Sequence, residues 1–76
     1  MAMLQRGPAQ PSVAAAKRAR DGGKLSAEAY DDTIWVLKTR RNDRIQFEKQ
    51  NYKAGVITRD EYERRVARID AEYEGK

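Results

Sequence analysis

Two stretches decide how this chain folds: Gly23-Lys24-Leu25-Ser26-Ala27-Glu28-Ala29-Tyr30 and Gly55-Val56-Ile57-Thr58-Arg59-Asp60-Glu61-Tyr62. They lie 32 residues apart and share the pattern Gly-x-(Leu/Ile)-(Ser/Thr)-x-(Glu/Asp)-x-Tyr. At the same offset Ile34 matches Val66 and Leu37 matches Ile69. Each position fits a junction between two helices. Gly23 and Gly55 suit the left-handed residue that ends a helix, where a Cβ would be penalised. Ser26 and Thr58 are N-caps, whose side-chain oxygens accept from an orphan amide of the next helix. Glu28 and Asp60 place negative charge in the first turn, against the helix dipole. Glu61, three residues after Thr58, completes a capping box; Ala29 leaves the first copy without one. Leu25 with Tyr30, and Ile57 with Tyr62, are spaced to close hydrophobic staples.

These junctions predict three helices. The first runs from about Val13 to Arg20, beyond a stretch in which Gly7, Pro8 and Pro11 forbid helix. The second runs from Ala27 to about Lys53, roughly 40 Å at the helical rise. The third runs from Arg59 to about Glu74. Its apolar residues Tyr62, Val66, Ile69 and Tyr73 follow the 4-3-4 spacing of a narrow seam. The second helix offers the complementary stripe Tyr30, Ile34, Leu37, Ile45 and Tyr52, interrupted by Arg41 and Glu48. The expected fold class is all-α: an open or Z-like pair of helical hairpins sharing the long helix, behind an extended N-terminal arm. The arm spans 1–11 and a single small helical domain spans 12–76.

The second junction, Lys53-Ala54-Gly55-Val56-Ile57-Thr58-Arg59-Asp60-Glu61-Tyr62-Glu63 with Val66 and Ile69, resembles the bacterial short C-terminal domain, SHOCT. That family's pattern is a helix, then Gly-x-Ile-Thr, then Glu-(Phe/Tyr)-Glu and a second helix. The resemblance covers about residues 43–72, with a degenerate echo over 12–38. It implies a helical hairpin and a role in interaction or oligomerisation rather than catalysis.

Composition narrows the function classes. The 76 residues are 39% hydrophobic and 37% charged, with a mean hydropathy of -0.97. Such a chain makes long solvated helices with little core, so docking on a partner or self-association is the natural source of further stability. Cysteine and histidine are absent, which removes disulfides, thiolate metal sites and imidazole chemistry. No Gly-rich phosphate loop is present, and the acidic pairs Asp31/Asp32 and Glu61/Glu63 diverge around a helix. No enzyme activity, metal, cofactor or small-molecule substrate is expected. With neither an apolar span nor a signal-peptide core, the expected location is the cytoplasm, away from membranes.

The net charge of +4 sits wholly within residues 1–24, where Arg6, Lys17, Arg18, Arg20 and Lys24 face only Asp21. Residues 25–76 balance eleven basic against eleven acidic side chains. The basic region is either a solvated tail or a contact for an acidic partner or nucleic-acid phosphates. A second basic band, Lys38, Arg40, Arg41 and Arg44, either meets such a partner or pairs along the helix with Asp31, Asp32, Asp43 and Glu48. Arg41 lies inside the apolar stripe and must snorkel out or bond an acid on a neighbouring element.

The partner-binding candidates are Trp35, Val36, Arg40 and Phe47. At 100° per residue Val36 and Phe47 fall opposite the Tyr30–Ile34–Leu37 stripe, with Trp35 on a flank. Aromatic residues and arginine most often anchor interfaces. The competing reading folds the first helix over Trp35 or Val36 as ordinary core. The expected function is therefore a non-enzymatic interaction module acting on a larger bacterial or phage assembly as adaptor, structural subunit or inhibitor. The alternatives are a small nucleic-acid-binding regulator that uses the basic N-terminal region, and a self-assembling homo-oligomer.

Overall fold

The computed structural model describes residues 10–76. It contains α1 (Val13–Asp21), α2 (Ala27–Lys53) and α3 (Arg59–Glu74), with no strand among the described residues. The arm over 1–11, apart from its last two residues, lies outside the described residues, as does Arg6.

Local chemistry sets each boundary. The side chains of Ser12, Ser26 and Thr58 accept from the amides of Ala15, Ala29 and Glu61 at 3.1–3.2 Å. Glu61 Oε1 in turn accepts from the Thr58 amide at 3.0 Å, closing the capping box. At the other ends, the Lys24 amide donates to the Ala19 carbonyl and the Gly23 amide to that of Arg20. The Val56 and Gly55 amides repeat this toward Asn51 and Tyr52. Both are the paired Schellman bonds that satisfy orphan carbonyls at a helix end. Gly23 and Gly55 have φ of 77° and 78°, so the two junctions share one backbone conformation.

The staple residues Leu25 and Ile57 are buried. In the first hairpin Leu25 joins Ala16 and Ala19 of α1, with Ala29, Tyr30 and Ile34 of α2 packed against them. In the second, Tyr62 stacks on Tyr52 with ring centroids 5.2 Å apart. Tyr62, Val66 and Tyr73 are half-buried and Ile69 is buried, so the seam expected on α3 faces α2.

The outer helices lie end to end along α2. At about 1.5 Å per residue, α1 and α3 together span nearly the length of α2, so their tips meet beside its middle. There Pro11, Leu37, Ile69 and Tyr73 line one small cavity of about 70 Å³. A Cβ on Gly75 would sit 2.7 Å from Ser12 Oγ and 2.8 Å from the Ala14 Cβ. This close approach of α3 to α1 is not part of the sequence expectation, and it links the two hairpins. The molecule is thin, 45 × 31 × 14 Å.

Two outcomes follow. Gly55 has open space where a Cβ would go, so Gly55→Val should act through backbone strain alone, costing about 1–2 kcal/mol or more. Thermal melting by circular dichroism should register a drop of several degrees or more, and an unchanged curve would contradict the junction. The hydrogen bond from the Thr58 amide holds the Glu61 carboxyl below its ordinary pKa, aided by its bond with the Thr58 side chain. A lowered folded-state pKa gives stability present above the unfolded carboxyl pKa and lost as pH falls through the folded one. Wild type should therefore melt above Glu61→Gln at neutral pH, and the gap should close below the carboxylate range.

Candidate interaction face

The inward face of α2 continues through both polar interruptions. Tyr30, Ile34, Leu37, Arg41, Ile45 and Glu48 are all buried or half-buried, while Tyr52 at the end is 39% exposed. Charge enters the seam only where α3 supplies a counter-group. Arg41 lies 3.8 Å from Asp70 and places its guanidinium 4.9 Å from the Tyr73 ring centroid. Glu48 meets Arg65 at 3.3 Å, and Arg44 meets Glu72 at 2.8 Å. Arg41 thus faces an acid on a neighbouring element at ion-pair distance, while its hydrogen bonds are donated to Asn42 Oδ1 on its own helix at 3.1 and 3.4 Å. The alternative in which the basic band pairs along its own helix does not hold: Arg44 uses Glu72 of α3, Glu48 uses Arg65 of α3, and Asp31, Asp32 and Asp43 take no part. Antiparallel packing brings the α3 carboxylates nearer than any within α2.

With α1 and α3 both on the inner stripe, no described element crosses the opposite side of α2. Trp35 is 67% exposed and Phe47 62% exposed. Val36 is half-buried and Arg40 exposed. Trp35, Val36 and Arg40, with Thr39 and Asp43, line a shallow groove of about 220 Å³. Phe47 lies farther along, roughly 18 Å from Trp35 by the helical rise. The structure therefore joins three of the four candidate residues in one groove and leaves Phe47 beyond it. The reading in which α1 covers Trp35 does not hold: α1 spends its small face on Leu25, Ala29, Tyr30 and Ile34.

The basic N-terminal candidates divide. Lys17, Arg18 and Lys24 are exposed. Arg20 is engaged, 3.7 Å from Asp21 and with its guanidinium 4.3 Å from the Tyr30 ring centroid. Among the described residues no three acidic side chains gather as metal ligands do, and no helix is long and apolar enough to cross a membrane. Two surface features escape the sequence reading. Val56, 69% exposed, sits at the turn between α2 and α3. Arg64, Arg65 and Arg68 of α3 share a second groove with Arg44; their spacing within one turn was the available signal.

Compared with known proteins, the chain matches no family model, no curated protein and no solved structure.

The geometry of Arg41 ranks its two contacts. A partly exposed pair at 3.8 Å contributes little, whereas packing of the stem and the ring contact contribute up to about 1 kcal/mol. Arg41→Ala should therefore lower stability by about 1 kcal/mol in urea titration. Asp70→Asn should change it by less than about 0.5 kcal/mol.

Proposed function

We propose that this chain is a non-enzymatic interaction module, which presents the outer face of α2 to a larger protein in a bacterial or phage assembly. One observation carries the reading: Trp35 and Phe47 are both about two-thirds exposed on the long helix, while every other described helix packs against its opposite side. Large aromatic side chains left in water lose the burial that would favour them, about 25 cal/mol per Å² of apolar surface. A partner surface recovers that term, with Trp35 in the shallow groove as central anchor and Arg40 able to meet an acidic rim. The thin fold supports this reading, since a molecule 14 Å deep has little interior with which to sustain a catalytic cleft. So does the likeness of the second junction to the SHOCT pattern. A cytoplasmic location fits the same reading.

Nucleic-acid binding through the N-terminal region rests on Lys17, Arg18 and Lys24 together with Arg6, which lies outside the described residues, since Arg20 is already held by Tyr30 and Asp21. Lys17 sits in the middle of α1, while Arg18 lies in its last turn and Lys24 just beyond, where positive charge also offsets the helix dipole. That role accounts for Arg18 and Lys24 without a ligand.

Replacing Trp35 and Phe47 together by Ala should cost no more than about 1 kcal/mol of folding stability, because exposed substitutions stay within about ±0.5 kcal/mol each. Photo-crosslinking from position 36 in cell extract should capture a defined partner with the wild-type chain and lose it with the double variant. A stability loss of several kcal/mol would assign both aromatics to the core and end the reading.

A further inference from the structure

The second groove lies on the flank of the α2–α3 hairpin, has a volume of about 430 Å³ and is built chiefly from arginine. Arg44 of α2 and Arg64, Arg65 and Arg68 of α3 line it, against only Glu48 and Glu61. Glu48 pairs with Arg65 inside the groove, and Glu61 is turned toward the amide of Thr58. Arg44 has Glu72. Arg64 and Arg68 are exposed and neither has a carboxylate within 4 Å among the described residues; Arg64 feels the Glu61 charge only at longer range. They are one helical turn apart and therefore neighbours on one face, where like charges repel by a few tenths of a kcal/mol. Nothing of this kind occurs on the other flank of α3, where Arg59 is matched by Glu63 at 3.2 Å.

We infer that this groove binds phosphate groups, held between the guanidinium groups of Arg64 and Arg68, which have no close carboxylate, with Arg44 and Arg65 contributing their remaining donors. The chemistry follows from the residue type. Guanidinium is a planar fork with five N–H donors that matches phosphate oxygens in pairs, and lysine does not reproduce it. The recorded ion pairs of Arg44 and Arg65 each use a single Nη1 atom, so both retain donors for a second acceptor. An anion with more than one negative charge would relieve the repulsion along α3 and complete the unbalanced side of the groove. Ile69 lies at its inner edge and ties the arginines to the packed seam. The phosphates can come from a small polyphosphate or from a nucleic-acid backbone, which share this chemistry.

The test is calorimetric titration of the full chain, at about 50 mM salt, with inorganic triphosphate and separately with a short single-stranded DNA of mixed sequence. Wild type should bind at least one. Arg64→Glu with Arg68→Glu should weaken that binding about tenfold or more. Lys17→Glu with Arg18→Glu, an equal change of charge on α1, should leave it within about twofold. Circular dichroism confirms folding, and Arg64→Gln with Arg68→Gln replaces the reversed pair if helicity is lost. Triphosphate binding lost in the α3 variant identifies a small-phosphate site; DNA binding alone, lost in the same variant, identifies a backbone-binding site. Absence of binding to either probe overturns the inference. So does equal loss in the α1 and α3 variants, which would reveal charge attraction with no defined site.

Discussion

Within eight residues the Gly55 junction combines a left-handed glycine, a buried staple residue, an N-cap and a capping box, and the Gly23 junction repeats all but the last. Each device contributes on the order of 1 kcal/mol or less alone. Together they reverse the chain in a fixed direction, which a thin, charge-rich fold cannot obtain from a large core. α2 takes part in both junctions, as the entering helix of one and the leaving helix of the other. Its contacts in the first role include Tyr30 and in the second include Glu48. Those positions are eighteen residues apart, about five turns at 3.6 residues per turn. Both outer helices therefore return along the same stripe. The open outer face of α2 is a consequence of that phase.

The hairpins solve the packing problem differently. α1 has nine residues and buries Ala16 and Ala19, small side chains that let the helices approach closely. The positions of α2 that correspond to these at the 32-residue offset are Glu48 and Asn51, both half-buried. The second hairpin answers with a ladder of cross-helix ion pairs and two tyrosine contacts. Exposed pairs add little to stability, but they fix which residues of α3 face which residues of α2. Their arrangement also leaves Arg64 and Arg68 without a close carboxylate, so one flank of the hairpin carries surplus positive charge.

The helices and their caps were legible in the sequence because capping depends on residues within one turn of each other. Ser26, Thr58, Glu61 and the two glycines state those rules openly, and the seam of α3 shows as unbroken 4-3-4 spacing. The outward placement of Trp35 and Phe47 followed from helical phase once the stripe was known. Long-range register was not legible. The partner of Arg44 lies 28 residues away, and helix periodicity gives equal standing to nearer acids such as Asp43. The approach of Gly75 to Ser12 depends on the summed lengths of α1 and α3 against α2, which local patterns do not encode. The surplus at Arg64 and Arg68 arises because Glu48 and Glu72 pair with other arginines and Glu61 is bonded to the Thr58 amide, none of which local spacing encodes.

Folding completes itself on one side of α2 and leaves the other side open. Trp35 is the only tryptophan in the chain, so its fluorescence reports on that open side without labelling. Acrylamide quenching of the full chain at low micromolar concentration, native and then unfolded in urea, is the most direct measurement. The native emission maximum and quenching constant should lie close to those of the unfolded chain, alongside full helical circular dichroism. A blue-shifted, strongly protected tryptophan in the native monomer would show that the chain covers its own outer face, and would contradict the account.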